Sequence, residues 1–470
     1  MSTECVTLSG MTKYDLAVLG GGSGGYAAAL RGAQLGLSVA IVERGRLGGT
    51  CLHRGCIPTK AWLHAGEISD AVRHAGDFGV RAKWSGVDVP AVRAYADGVV
   101  ARLYKGLEGL VRGRGIEVVA GEGRLASWSS GIGIAVGDDI VEARHVILAT
   151  GAAPRTLPGV VVDGERVITS ENALRLESLP TSAIVLGGGV IGVEFASAWR
   201  SLGVEVTVIE AAERLLPAEE PEVSRALMRA FGSRGIEVLA GAAIGSVTGG
   251  DDCVEVLVGD RTLTADVLLV AVGRAPVLDA FGEAGVRCEG GSVFVDSHLR
   301  TSVPDVFAVG DLVAGPQLAH RGFAHGIFVA ELVAHRLGKL ADAPTPPDDS
   351  LFARVTYCSP EVASVGLTQV QAAASGPVET QVYDLAGNGR AQILKTHGLV
   401  KVVRRQDGPV VGLHAVGQGV SEIISEGQLI TAWEAYPDEV ASLSHAHPTL
   451  SEAIGEAHLA LTGRPLHAHA

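Results

Sequence analysis

The sequence predicts an α/β protein of two doubly wound domains, the second inserted in the first, followed by an α+β domain. Three observations predict it: short apolar runs that stop at glycine, a strand–glycine–helix–strand unit that occurs twice, and a change of pattern after a proline-rich stretch at 343–347. Composition sets the outer bounds, with 63 glycines in 470 residues, 47 % hydrophobic, 19 % charged and 4 % aromatic residues. This apolar content can fill several cores, and a length divided by ~150 residues per domain suggests about three of them. The glycines have no every-third-residue period, which excludes a collagen-like chain, and no uncharged stretch supplies the ~20 apolar residues of a membrane helix.

Residues 14–19 read as a buried strand that runs into Gly20-x-Gly22-x-x-Gly25, a helix to about Leu35, and a second strand at 39–42 ending in Glu43. The order recurs 167 residues later: strand 183–186, Gly187-x-Gly189-x-x-Gly192, a helix to about Leu202, and strand 204–209 ending in Glu210. In each copy the acid stands 18 residues past the last glycine. A single such motif is weak evidence, whereas two copies in register specify two dinucleotide sites of the Rossmann type. The first glycine permits the tight turn, the second lets backbone amides reach a pyrophosphate, the third lets helix and strand pack closely, and the acid receives ribose hydroxyls. Three further apolar runs stop at a glycine: 145–149 into Thr150-Gly151, 267–272 into Gly273-Arg274, and 306–309 into Gly310-Asp311. The last of these is expected to return to the first domain and complete its sheet. Beyond the proline-rich linker, strands at 400–403 and 410–416 and helices at 419–435 and 449–461 make the α+β domain.

A net charge of −14 and the lack of a basic run argue against a nucleic-acid surface. The start MSTECVTLSGMTKYD has neither the basic start nor the apolar core of a signal peptide, so a cytoplasmic protein is expected, with Met1 or Met11 as initiator. Four of the six cysteines are scattered, but Cys51 and Cys56 sit five apart. In a reducing compartment such a pair is redox-active or metal-binding, and the only nearby partners for zinc are His53 and His64, so no metal is expected. The pair lies in GGTCLHRGCIPTK, 48–60, at the expected entry to a helix whose N-terminus can stabilise a thiolate. Beside a dinucleotide site, this suggests electrons moving between a nicotinamide and a dithiol. A flavin accepts a hydride on one side and exchanges with sulfur on the other, so the two fingerprints suggest FAD and NAD(P).

These residues resemble the class I pyridine nucleotide-disulfide oxidoreductases over nearly the whole chain. The resemblance rests on the cysteine motif, GGGVIGVEFAS (187–197), VGRAP (272–276), SVPDVFAVGD (302–311), YCSPEVASVG (357–366), NGRA (388–391) and HAHPTLSE (445–452). It implies an FAD domain carrying a redox disulfide at 1–153, an NAD domain at 154–275, a continued FAD (central) domain at 276–347 and a dimer-interface domain at 348–470. It further implies Cys51 as the thiol that exchanges with substrate, Cys56 as the thiol that contacts the flavin, and His447 as a base oriented by Glu452, contributed across a two-fold homodimer. Lys60 and Glu194 match a pair beside the flavin; Glu194 has no counterpart in the first repeat, where Ala27 stands. FAD is implied at Gly20, Gly22, Gly25, Glu43, Gly49, Thr50, Thr150, Gly151 and Asp311. NAD is implied at Gly187, Gly189, Gly192, Glu210, Gly273 and Arg274. Pro448 suits a helix start, which would place Glu452 in the early turns.

An acid at 210 accepts the 2′-hydroxyl of NAD and repels the 2′-phosphate of NADP, for which arginines would be expected; Arg214 is nearby but alone. The resemblance therefore implies oxidation of protein-bound dihydrolipoamide to lipoamide with NAD+ as acceptor. The partner implied is a lipoyl-bearing carrier protein or acyltransferase of a 2-oxoacid dehydrogenase or glycine cleavage complex. The alternatives are a reductase of a glutathione-like or mycothiol-like disulfide, against which Glu210 argues, and a chiefly structural subunit, which would not need the complete redox set. Mercuric reductase would need a further C-terminal cysteine pair, and the last cysteine is Cys358. Three positions depart from the family pattern: His53 stands where asparagine is common, Thr59 where serine is common, and RGFAHG (321–326) lacks the acid usual before its glycine. A protonated His53 beside the cysteines would favour the thiolate.

Overall fold

A computed structural model describes residues 13–128, 131–250, 252–281 and 284–467. Cys5 and both candidate initiators, Met1 and Met11, lie outside them. The chain divides into two compact units, one of residues up to Pro58 with Ala96–Ala153 and Arg274–Asp349, the other of Thr59–Tyr95, Pro154–Gly273 and residues from Ser350 onward.

The first unit is built on a seven-stranded sheet. Strands Glu117–Ala120, Val39–Glu43, Tyr14–Leu19 and Asp139–Leu148 lie side by side and parallel, with Leu16 opposite Val39 and Leu19 opposite Leu148. Val306–Ala308 adds to Asp139–Leu148 in parallel, Val306 opposite Val146, so the chain does return to complete the first sheet after the inserted domain. The Gly131–Val136 and Gly123–Trp128 strands extend it antiparallel. Its central strands are continuous apolar runs because both faces are covered. Leu16, Val18, Ile41, Ile147 and Phe307 enter one core, and their neighbours Ala17, Leu19, Val42, Val146, Leu148 and Val306 the other. Each fully buried side chain of this size contributes about 1.5–3 kcal/mol.

The second unit repeats the plan with a parallel sheet ordered Glu237–Ala240, Glu205–Glu210, Ser182–Leu186, Val267–Val270, Val167–Ile168. A three-stranded antiparallel sheet, Ile244–Gly249, Val254–Val258 and Arg261–Ala265, closes one end of its core. The C-terminal part is a five-stranded antiparallel sheet in the order Arg354–Thr356, Glu361–Gly366, Val410–Gly417, Leu399–Arg405, Val378–Asp384. Helix Val420–Ala432 packs on its middle strands and helix Glu452–Leu461 on Val378–Asp384 and Leu399–Arg405.

Two expectations are corrected. The cysteine motif does not lie at the entry to one helix: Cys51 belongs to Gly49–Arg54 and Cys56 opens Cys56–Arg73, because Gly55 leaves helical geometry at φ −141°, ψ −113°. The last helix starts at Glu452, four residues after Pro448. There the amides of Ala453 and Ile454 bond three residues back, to Leu450 and Ser451, so the approach is a tight turn before the regular ladder begins.

Candidate functional site

Strand Tyr14–Leu19 delivers the chain to Gly20 at φ +102°, where a Cβ would stand 2.4 Å from the carbonyl oxygen of Ala149. Helix Ser23–Gln34 then starts so close to the strand that a Cβ on Gly25 would lie 1.8 Å from the oxygen of Gly20. Glu43 fixes the loop, its Oε2 accepting from the Gly21 amide and its Oε1 from that of Gly45, both at 2.7 Å. The second copy matches feature for feature. Gly187 has φ +109°, a Cβ on Gly192 would lie 1.9 Å from the oxygen of Gly187, and Glu210 accepts from Gly188 at 2.6 Å and from Ala212 at 2.7 Å. Among the described residues, no atom outside its chain neighbours and its own helix lies within 4 Å of where a Cβ on Gly189 would be. Each helix thus opens on a glycine with no side chain to cap it, its first amides left for an anion. These cradles fit two dinucleotides.

The cysteine motif is seated on the first cradle. The Gly48 amide donates to the carbonyl of Gly21 at 2.8 Å, and a Cβ on Gly49 would lie 2.7 Å from the Cα of Gly22. Cys51 and Cys56 are each partly buried. Burial, and then the charge of Cys51, push the Tyr26 phenol up to about 12. The His53 ring is held by the Leu47 carbonyl at 2.8 Å from Nε2 and stands edge-on to Tyr104, so Nε2 is turned to backbone. Thr59 is buried.

In the first unit, the Thr150 hydroxyl donates to the carbonyl of Val277 at 2.7 Å and the Val277 amide donates to the carbonyl of Gly151 at 2.9 Å. Arg274 donates to the carbonyl of Ala152. Burial pushes the Asp311 carboxyl above its ordinary range, against the pull of Arg274 and Arg321. Such a desolvated acid suits the hydroxyl groups of a bound ligand. Gly273 belongs to the other unit, where its carbonyl accepts from the Arg155 amide.

Lys60 Nζ meets both oxygens of Glu194, at 2.9 and 2.8 Å, and stands 4.7 Å from the centroid of the Tyr357 ring. Glu194 is only 3 % exposed, and its Oε1 also accepts the Tyr357 amide at 3.0 Å. Tyr357 is a member that sequence reasoning missed, although YCSPEVASVG marked its neighbourhood. Its phenol is raised by burial.

His447 Nδ1 lies 2.8 Å from Oε1 of Glu452, while Oε2 accepts from the Thr449 amide at 2.7 Å. Burial would raise the Glu452 carboxyl, but the Thr449 amide and His447 outweigh it and hold the group below its ordinary value. The His447 side chain is 76 % exposed, which leaves Nε2 open to solvent in the single chain. Asn388, of the NGRA motif, accepts from the Ala391 amide and donates to the carbonyl of Thr449, fixing the loop from beneath. His445 pairs with Glu426 at 2.7 Å, and that bond first and foremost raises its pKa. Among the described residues no group of three or more His, Cys, Asp or Glu side chains is arranged to hold a metal, and no helix is long and apolar enough to cross a membrane.

Fold and site together define a two-dinucleotide disulfide oxidoreductase. Residues 14–326 match the pyridine nucleotide-disulphide oxidoreductase family, and residues 352–458 match its dimerisation domain. The chain belongs to this family, whose members use FAD and NAD, and its dimerisation domain supports a homodimer. It is 39 % identical to a dihydrolipoyl dehydrogenase of Bacillus subtilis over 97 % of this chain and 99 % of that one. It is 35 % identical to a mitochondrial dihydrolipoyl dehydrogenase of Arabidopsis thaliana, covering 98 % of this chain and 92 % of its relative. The crystal structure of LpdA from Mycobacterium tuberculosis superposes with a TM-score of 0.86 at 29 % identity, over 95 % of this chain and 99 % of the other.

Proposed function

We propose that the chain oxidises protein-bound dihydrolipoamide to lipoamide and passes the electrons to NAD+, in cytoplasm, on a lipoyl-bearing carrier or acyltransferase of a 2-oxoacid dehydrogenase or glycine cleavage complex. The observation that carries this reading is the seating of the Cys51/Cys56 motif on the first glycine cradle through Gly48 and Gly49. A dithiol seated there would lie beside a bound dinucleotide, and the full-length likeness to dihydrolipoyl dehydrogenases supports the reading.

A substrate thiol with an ordinary pKa of ~8.5 is mostly protonated at neutral pH and needs a base. Because a carboxylate can only accept, His447 holds its proton on Nδ1 toward Glu452, which leaves the Nε2 lone pair to receive the thiol proton. The substrate thiolate then attacks Cys51 Sγ of the Cys51–Cys56 disulfide and Cys56 leaves as thiolate. The second substrate thiol displaces Cys51, so the substrate loses two electrons to the cysteine pair and becomes the cyclic disulfide. Across the two-fold axis His447 reaches the partner's cysteines, consistent with its exposure in one chain. FAD, when bound in the first cradle, would take the electron pair from the dithiol and deliver it as hydride to NAD+. Glu43, Thr150, Gly151 and Asp311 would hold it, with Lys60 and Glu194 as the ion pair at its side. Glu210, its carboxylate aimed by two amides, would receive the ribose hydroxyls of NAD.

NAD+ reduction with free dihydrolipoamide, run beside NADP+ and against small disulfides with NADH and NADPH, tests the proposal. Turnover of dihydrolipoamide with NAD+ is expected; its absence overturns the reading.

A further inference from the structure

The segment RGFAHG, which carries His325 where the family pattern has an acid, is the start of an array in the first unit, buried at Arg321 and His325 and part-exposed at Asp349, that the function above does not use. Arg321 is 2 % exposed and grips Asp349 with two parallel bonds, Nε to Oδ1 and Nη2 to Oδ2, both at 2.8 Å. The same guanidinium donates to the carbonyls of Ala314 at 2.6 Å and of Gly310 and Pro316 at 3.4 Å. His325, equally buried, receives the Gly310 amide on Nδ1 at 3.4 Å and lies 3.5 Å from Asp349 Oδ1 through Nε2. Gly310, directly before Asp311, is therefore held by both its amide and its carbonyl. Gly315, at φ +121°, passes over the pair where a Cβ would lie 2.6 Å from Arg321 Nη2 and 2.9 Å from Asp349 Oδ2.

We infer that Asp349 supplies in space the carboxylate that RGFAHG lacks in sequence, and that Arg321, His325 and Asp349 form a clamp positioning Asp311 for FAD. Residues 310–316 must present Asp311 toward the cofactor while their own carbonyls turn inward. Only a planar donor set such as guanidinium can satisfy three carbonyls and a carboxylate at one point. A neutral histidine suits position 325 because it accepts from Gly310 and donates to Asp349 with one ring. An acid there would leave two carboxylates against one guanidinium. Burial keeps His325 neutral by pushing its pKa down to about 4, with Arg321 acting in the same direction and Asp349 opposing.

The inference rests on Asp311 meeting FAD, and the test separates the two. FAD release from the holoenzyme is followed by the rise of flavin fluorescence, and melting temperature is measured with and without FAD. Asp349→Asn and Arg321→Lys are expected to speed release by on the order of tenfold or more and to narrow the gap between the two melting temperatures. His325→Glu alone should do the same, and the double change His325→Glu with Asp349→Asn should recover most of the loss, since it restores one acid and one neutral partner. Release as slow as in the parent for Asp349→Asn and Arg321→Lys, when Asp311→Asn itself speeds release, overturns the clamp. So does an equal fall of both melting temperatures, which marks a merely structural role. Unchanged release in Asp311→Asn overturns instead the placement of Asp311 at FAD.

Discussion

The two glycine cradles are the same device put to different ends. Both start at a left-handed glycine, both bring the third glycine to within 1.8–1.9 Å of a carbonyl for any added Cβ, and both end on an acid gripping two amides. They part along the helix. The first helix, Ser23–Gln34, is kept bare on the side that meets Ala319–Arg336: a Cβ on Gly24 would reach 3.2 Å from the oxygen of Gly322, and one on Gly326 would stand 2.2 Å from the oxygen of Gly24. The second, Val190–Leu202, carries Glu194 where the first has Ala27, and spends its buried face on Lys60 and Tyr357. Nucleotide binding fixes the loop and leaves the rest of the helix open, in one copy for close backbone packing and in the other for an ion pair.

The largest effects come from breaking the shared part. Gly25→Ala and Gly192→Ala each drive a methyl into backbone that cannot give, at an expected cost of at least about 3 kcal/mol. The copies should nonetheless be distinguishable. Gly25→Ala should purify without flavin, whereas Gly192→Ala should keep its flavin absorbance and lose NAD+ reduction. Flavin content and turnover with an artificial acceptor check this, and loss of flavin in both variants would show that the cradles are not separate sites.

Swapping the divergent position comes next. Ala27→Glu places a charge at a site only 8 % exposed, with an expected destabilisation on the order of 3 kcal/mol. Glu194→Gln keeps shape and the Tyr357 amide bond but strips Lys60 of its counter-charge. Its melting temperature should move little while turnover falls by roughly tenfold or more with FAD retained. A flavin absorbance spectrum and turnover identical to the parent would remove Lys60 and Glu194 from the site.

How much of this was readable beforehand follows from how local each feature is. The cradles are set by glycine spacing and a strand end, all within 24 residues, so Gly20 to Glu43 and Gly187 to Glu210 could be read directly. The Lys60–Glu194 pair spans 134 residues, and it was legible only through the family resemblance and the mismatch between Ala27 and Glu194. Tyr357 was marked only by the motif that begins at it, and Asp349 by nothing, because they act through a backbone amide and through the fold of the chain. Lys401 is fully buried with Glu220, Glu222 and Gln369 around its ammonium. Its one hint is a lysine set among valines on a strand, at 400–403. The start of the last helix was misplaced for a related reason: Glu452 binds the Thr449 amide and His447 together, and that turn is stable without the helical ladder Pro448 suggested.

The smallest expected effect lies in the acids that end the two units. A carboxylate has about four lone-pair sites, and in Glu210 two are taken by the amides of Gly188 and Ala212, which leaves two for ribose hydroxyls. Glu43 is bonded to Gly21 and Gly45 in the same way. Substituting Glu210→Gln turns an amide donor toward one of the backbone N–H groups, so the loop relaxes and the ribose contact weakens together. The KM for NAD+ should rise by roughly tenfold with kcat nearly kept, and the preference over NADP+ should shrink because the charge that repels a 2′-phosphate is gone. Glu43→Gln should leave both constants alone and show its loss as faster release of FAD. A fall in kcat for Glu210→Gln at unchanged KM would mean that this acid shapes the loop for chemistry rather than receiving the nucleotide, and the likeness of the two cradles would then be one of backbone alone.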